Sequence, residues 1–188
     1  MRSRGLLFFV LVGLFILVGC QSKTEKTQAV VGAGGKSIGI PVDEFKARFN
    51  AVASTLGSTL LIRELNLEHG QGADVFNVPM MDGNAVAIIG SVDKSTRYVN
   101  ALTVVASAPD KKGMRHQVAG YMTCVLTTIE LCTPGMDKAQ RETVLNRIGL
   151  GGEGVSEKSK SVIVNKVKYS QVANPALGVV FTAEASAD

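Results

Sequence analysis

The chain is predicted to fold as an α+β domain in which helices pack on one face of an antiparallel sheet. Apolar residues at helical spacing and residues with strand-like patterning occupy separate stretches, in the order helix, strands, two helices, strands. Short turn sequences join the strands, and such connections favour antiparallel neighbours. We expect residues 40–188 to form this single domain, because their length suits one sizeable core.

The first predicted helix begins near Pro41. Proline suits the first helical position, and Asp43 and Glu44 suit the positive end of the helix dipole. Apolar residues then recur at i, i+4, i+7 and i+11, and a glycine follows at the expected end. These residues are Phe45, Phe49, Val52 and Leu56, followed by Gly57.

A meander of strands is predicted to follow this helix. Asp82-Gly83-Asn84 is typical of a hairpin turn, because these residue types tolerate positive φ. Pro79 has no N–H to donate, and this predicts that the first hairpin strand lies at a sheet edge. The predicted strands cover residues 59–67, 75–80, 85–92 and 97–107.

Two more helices and two more strands complete the predicted domain. The first helix has apolar residues at helical spacing and ends at Thr133-Pro134-Gly135. Asp137 is expected to cap the second helix, and the last strands are joined through residues 173–175. The helix face comprises Val118, Met122, Val125, Ile129 and Cys132; the second helix buries Val144, Leu145 and Ile148; the strands cover residues 162–169 and 177–183.

The N-terminus has the pattern of a secretory signal. Arg2 and Arg4 form a positive start, and the apolar run 6–18 follows. About 20 apolar residues are needed to cross a bilayer, so this run is too short for an ordinary membrane span. Gly19 then offers the small residue that a cleavage site requires.

Leu17-Val18-Gly19-Cys20 resembles the lipobox of bacterial lipoproteins. The resemblance implies that a diacylglyceryl group is added to the sulfur of Cys20 and that cleavage removes residues 1–19. The next residue is Gln21 rather than the Asp that often marks inner-membrane retention in this family. The resemblance therefore implies an outer-membrane lipid anchor on the periplasmic face.

Residues 20–39 are expected to be a flexible tether. They are polar at first and then rich in glycine, a composition that favours a coil. About twenty such residues span ~25 Å, enough to hold a domain clear of lipid headgroups.

Charge argues against nucleic acid as a partner. The chain has 20 basic and 16 acidic side chains, and loss of Arg2 and Arg4 with the signal leaves 18 basic ones. Nucleic-acid binding needs a concentrated basic face. The partners expected instead are the membrane, through the lipid, and an unidentified envelope protein.

Cys124 and Cys132 leave the question of a disulfide open. An oxidising envelope favours a bridge, but eight residues of helix separate the Cα atoms by ~12 Å, beyond the ~7 Å limit. Several β-branched residues between them weaken the helix prediction. Either the helix holds and both thiols are buried, or a bridge forms and the helix is broken.

We expect no metal site, cofactor or catalytic residue. His69 and His116 match no zinc spacing with the cysteines. The Gly-x-Ser-x-Gly pattern at 35–39 lacks the preceding strand of a nucleophile elbow. The pattern at Gly149, Gly151 and Gly154 follows a helix, whereas a dinucleotide fingerprint follows a strand.

The oxygen-bearing residues around the first hairpin are attributed to turn chemistry rather than to calcium. Asp74 and Asp82 have no regular ligand spacing. Met80 and Met81 are expected in the core at the sheet edge, although exposed methionines can form adaptable partner surfaces.

Two functions remain after these exclusions. The first is a non-catalytic protein-binding module, such as an assembly accessory or an inhibitor. The alternative is a carrier of a small molecule or lipid, which requires an apolar cavity under the helices.

Overall fold

The computed structural model describes residues 37–108, 113–151, 158–174 and 178–186. These residues form the predicted α+β fold, in which three helices accompany one antiparallel sheet; the sheet has seven strands. The elements are α1 (Val42–Thr55), β1 (Leu67–His69), β2 (Asp74–Pro79), β3 (Val86–Val92), β4 (Val99–Ala106), α2 (Met114–Cys132), α3 (Lys138–Arg147), β5 (Lys160–Val164), β6 (Val167–Asn174) and β7 (Gly178–Ala185).

Two antiparallel meanders meet at the centre of the sheet. The strand order is β1-β2-β3-β4-β7-β6-β5, so each half follows chain order. The halves join through β4 and β7, where Val104 lies opposite Phe181. The predicted meander is confirmed, and this order leaves β1 and β5 at the two margins.

The helices cover the sheet face that carries the large apolar side chains. Successive strand residues point to opposite faces, so alternate positions share this face. Phe45 of α1 packs on Phe76 of β2, with ring centroids 4.8 Å apart. The largest fully buried side chains of this core include Phe45, Phe49, Phe76, Ile88, Leu102, Ile129, Tyr169 and Phe181.

Gly90 of β3 provides the space for the Phe76 ring. A Cβ built at Gly90 would lie 2.0 Å from Cζ of that ring. The ring therefore crosses the neighbouring strand at a point where no side chain stands, and it fills the space between sheet and α1.

α2 is one continuous helix, but its buried face differs from the predicted one. Val125 and Ile129 are fully buried as expected, whereas Val118 is 52% exposed. Tyr121 and Cys124 are buried on α2. The β-branched Thr128 is accommodated because its hydroxyl donates to the Cys124 carbonyl one turn earlier, at 2.8 Å.

α3 begins at the predicted cap. The Asp137 carboxylate accepts from the backbone N–H of Gln140 at 2.7 Å, and the Gln140 side chain accepts from the Asp137 N–H at 3.0 Å. This capping box satisfies two backbone donors that a helix start leaves unpaired. Val144 and Ile148 are buried as expected, and Leu145 is half-buried.

The predicted strand at 59–67 is wrong. Only Leu67, the first residue of β1, belongs to a strand. Asn50 of α1 takes the place of a strand partner, because its side chain accepts from the Ile62 N–H at 2.8 Å and donates to the Ile62 carbonyl at 2.9 Å. The segment therefore runs along α1 with its buried polar groups satisfied.

β2 is not an edge strand as Pro79 had predicted, since it lies between β1 and β3. β1 pairs only with Asp74, Val75 and Phe76, so the end of β2 that holds Pro79 has a free side. Met80 donates to Val86 of β3 at 2.9 Å. Since bonding direction alternates along an antiparallel strand, the Pro79 nitrogen points outward, where no ladder bond is lost.

The folded domain begins slightly earlier than residue 40. Ile38 is buried, and its N–H donates to the Val99 carbonyl at 2.9 Å. The Ile40 carbonyl accepts a hydrogen bond from the Val99 N–H at 2.9 Å. The last residues of the predicted tether, from Ile38 onward, therefore belong to the folded domain.

Candidate functional site

The margin formed by β5 is a hairpin that the sequence prediction missed. Residues 162–169 were predicted as one strand, but Asn165 and Lys166 form a turn with φ of 49° and 66°. Two central residues with positive φ make the type I′ turn that suits a two-residue hairpin. The sequence signal is weak because the second turn residue is a lysine rather than glycine.

β5 has unpaired backbone groups on its outer side. Val164 and Val167 flank the turn and form a hydrogen-bonded pair, so Val162 and Tyr169 form the next one. The N–H and C=O groups of Ser161 and Ile163 consequently point away from β6. Among the described strands, none pairs with this side of β5.

A cleft of about 390 Å³ runs between this strand and α3. One face of α3 forms its wall, because residues spaced by three and four share a helix face. The side chain of Ile163, which belongs to the opposite sheet face, is 60% exposed at the same margin. The cleft is lined by Gln140, Thr143, Val144 and Arg147 of α3, by Val162, Ile163, Val164 and Asn165, and by Pro134, Gly135 and Met136.

Arg147 is the charged residue of this lining. It lies in the last turn of α3, where a cation is favoured by the helix dipole. Other cations near α3 are paired: Arg141 with Glu130 at 2.5 Å and Lys138 with Glu142 at 3.7 Å. Within the described segments Arg147 forms no such pair, and it is an exposed residue of the cleft lining.

A second cleft, of about 570 Å³, lies where α2 begins beside the β2–β3 turn. We call it the methionine cleft, because Met80 and Met81 line it together with Leu60 and Ala85. Met80 is buried and Met81 partly buried against the core, as predicted. The full lining also includes Asp82, Ser107, Ala108, Gly113, His116 and Gln117.

Gln117 and Gly120 of α2 fix the wall of the methionine cleft. The Gln117 amide donates to the carbonyls of Ala85 and Ser107 at 2.8 and 2.7 Å, which joins α2 to two strand ends. A Cβ at Gly120 would lie 2.3 Å from the Met81 sulfur, so the glycine allows that side chain to approach the helix. On the adjoining helix surface Met114 and Val118 are exposed.

Asp74 is buried inside a group of basic side chains, and its attribution to turn chemistry was wrong. Its carboxylate lies 3.0 Å from His69 Nδ1, 3.4 Å from Arg97 and 3.9 Å from Lys94. These contacts tie β1, β2 and the β3–β4 turn together, although the His69 ring itself is 78% exposed. Asp82, in contrast, does lie in a turn, at the start of a short 3-10 helix.

Asp93 organises the β3–β4 turn. One carboxylate oxygen accepts from the backbone N–H and the hydroxyl of both Ser95 and Thr96, at 2.6 to 3.0 Å. These bonds favour the charged form and lower the pKa of Asp93 to about 2, with the Ser95 hydroxyl as the largest cause.

The disulfide that the sequence left open is not formed. Cys124 and Cys132 are free, buried thiols within the continuous helix α2. Burial raises the pKa of both thiols to about 12, which disfavours the reactive thiolate.

The other predicted site residues yield less. Cys20, the lipidation candidate, lies outside the described residues, as do parts of both glycine patterns. Within the described ranges, no three acidic, histidine or cysteine side chains cluster as a metal site would require, and no helix is long and apolar enough to span a membrane.

Comparison of the chain with known protein families, with curated proteins and with solved structures found no match.

Proposed function

We propose that this protein is a lipoprotein that binds another envelope protein at the outer margin of β5. In this proposal the Cys20 lipid anchors the chain to the outer membrane, facing the periplasm, and the domain is not an enzyme. The single observation that carries the proposal is the outer side of β5, where no described strand pairs with the backbone groups of Ser161 and Ile163 beside the α3 cleft.

An edge strand of this kind can accept a further strand from a partner. Backbone hydrogen bonds then supply affinity, and pockets for alternate side chains supply specificity. Ser161 and Ile163 offer four backbone groups, and each bond contributes about 0.5–1.5 kcal/mol net. The cleft receives the side chains that face the helices, while Ile163 meets those on the other face.

Site-specific crosslinking in intact envelopes tests this function. A photoreactive amino acid at Ile163 should yield a discrete adduct with a protein partner, and the same group at the exposed Tyr98 should not. The adduct should disappear when Ser161 is also replaced by proline, since the outward N–H is then lost. Equal adducts from both positions, or none from Ile163, would remove the basis of the proposal.

The methionine cleft favours a second candidate function, a carrier of a small molecule. Its volume of about 570 Å³ falls within the ~300–1,000 Å³ of ligand pockets. Native mass spectrometry of protein purified from envelopes should then show a bound molecule. Ala85→Phe should displace it and Ala51→Phe, on the exposed side of α1, should not; a wild-type protein free of ligand contradicts the carrier.

A further inference from the structure

We infer that the segment added to β5 is an extended acidic one, with carboxylates at alternate positions that enter the α3 cleft. This inference rests on the proposed strand addition and adds the chemistry of the partner. It follows from three features of the margin: the direction of the free backbone groups, the faces on which the neighbouring side chains lie, and the charge of the cleft.

The register of β5 assigns the partner's side chains to faces. Residues directly opposite one another in a sheet share a face. Partner residues opposite Ser161 and Ile163 therefore lie on the open face beside the exposed Ile163 side chain. Partner residues opposite Val162 and Val164 lie on the helix side, in the cleft.

The charge of the cleft determines which partner side chains fit opposite Val162 and Val164. Arg147 is the charged residue of the lining, and no described carboxylate pairs with it. Lys160, the first residue of β5, and Lys166, in the turn after β5, add to the positive charge of this margin. A guanidinium matches a carboxylate with two parallel hydrogen bonds. The site therefore fits an extended segment with apolar side chains on one face and Asp or Glu on the other.

Synthetic peptides test both the strand addition to β5 and the preference for acidic side chains. The probes are soluble seven-residue peptides with valine at every second position and aspartate, asparagine or lysine between, measured by fluorescence anisotropy against the mature, unacylated chain. We expect the aspartate peptide to bind about three- to tenfold more tightly than the asparagine peptide, as one partly exposed ion pair allows. Raising the salt concentration should narrow this difference.

Matched variants test whether Arg147 and the β5 edge are responsible for peptide binding. Arg147→Gln should make the aspartate and asparagine peptides bind equally, whereas Arg147→Lys should keep part of the preference. Ile163→Pro should abolish binding of all peptides without disturbing the β5–β6 pairs, because only an outward N–H is removed. Ile163→Thr keeps that N–H and should retain binding, and circular dichroism confirms that each variant is folded.

The outcomes distinguish a failure of the acidic preference from a failure of the proposed strand addition. If the aspartate and asparagine peptides bind wild type equally and Ile163→Pro abolishes both, strand addition holds and the acidic preference is wrong. If no peptide binds, or Ile163→Pro has no effect, both fail. A dimer of the wild type that Ile163→Pro dissociates, measured by analytical ultracentrifugation, would place a second copy on the edge and overturn the acidic partner.

Discussion

At Gly90 the sheet has no room for a side chain on its helix-covered face. Gly90→Ala would bring a methyl group to 2.0 Å from the Phe76 ring, which is held in turn by Phe45. We expect a loss of about 1–3 kcal/mol in the free energy of unfolding, since overpacking a core forces side chains from their rotamers. Urea denaturation followed by circular dichroism measures it.

Gly72→Ala is the control for this prediction. A Cβ at Gly72 meets no atom within 4 Å, and its φ is not in the left-handed region. This variant should unfold at the wild-type urea concentration or slightly above it. Equal destabilisation by both substitutions would contradict the packing account of Gly90.

Asp93 should make the stability of the protein fall as the pH falls below about 4. Its pKa is lowered to about 2 from an ordinary 3.8, so the stability it contributes is present above pH ~4 and lost as pH falls through ~2. Asp93→Asn keeps an acceptor oxygen but cannot titrate. Between pH 4 and 2 the wild type should lose more stability than this variant, and an NMR titration should place the Asp93 carboxyl well below 3.8.

At the scale of elements, the capping box of α3 makes its own contribution to the free energy of unfolding. Asp137→Ala removes the carboxylate that holds the Gln140 N–H. We expect a cost of about 1 kcal/mol in unfolding free energy, whereas Asp137→Ser, which keeps a capping oxygen, should cost clearly less. A midpoint of urea denaturation for Asp137→Ala equal to that of the wild type would show that the cap contributes little.

Helix α2 determines the behaviour of the two domain cysteines. Cys124 and Cys132 should react with a thiol reagent slowly in the native protein at pH 8, and rapidly in urea, because burial raises each pKa to about 12. Val118→Cys provides an exposed thiol on the same helix as the control. Rapid native labelling of Cys124 or Cys132 would mean that α2 opens readily.

Elements with strong local signals were predictable from the sequence. α1 follows from its apolar spacing, α3 from Asp137, and the β2–β3 hairpin from its Asp-Gly-Asn turn. Two of the failures have a local physical cause: a side chain replaced a strand partner in one, and a residue with an unusual φ formed the turn in the other. Asn50 binds Ile62 in place of a strand partner, and Lys166 adopts a positive φ that its residue type rarely shows.

The candidate site was beyond the reach of local patterns. Arg147 and Ile163 are near one another because α3 packs on β5, and β5 lies at a margin only because β4 pairs with β7. That pairing joins residues about eighty positions apart, for example Val104 and Phe181. Sequence alone therefore predicted the fold class, but not the surface at which we propose that a partner binds.

For the whole molecule, the proposed anchor gives the clearest test of location. Cys20→Ser should remove lipid attachment, so that the protein no longer incorporates labelled palmitate and the uncleaved precursor accumulates. Ser22→Ala, two residues further on, should be processed and membrane-bound like the wild type. Unchanged palmitate labelling in Cys20→Ser would contradict the lipobox interpretation.

The two margins of the sheet have opposite consequences for self-assembly. Cross-β polymers grow only when each unit offers a receptive edge at both ends. Here β1 is only three residues long and the free side of β2 beyond it holds Pro79, which has no N–H to donate, whereas no described strand pairs with the outer side of the longer β5. We expect a molecule with these two margins to cap a growing stack of strands, or to close into a pair, more readily than it extends the stack.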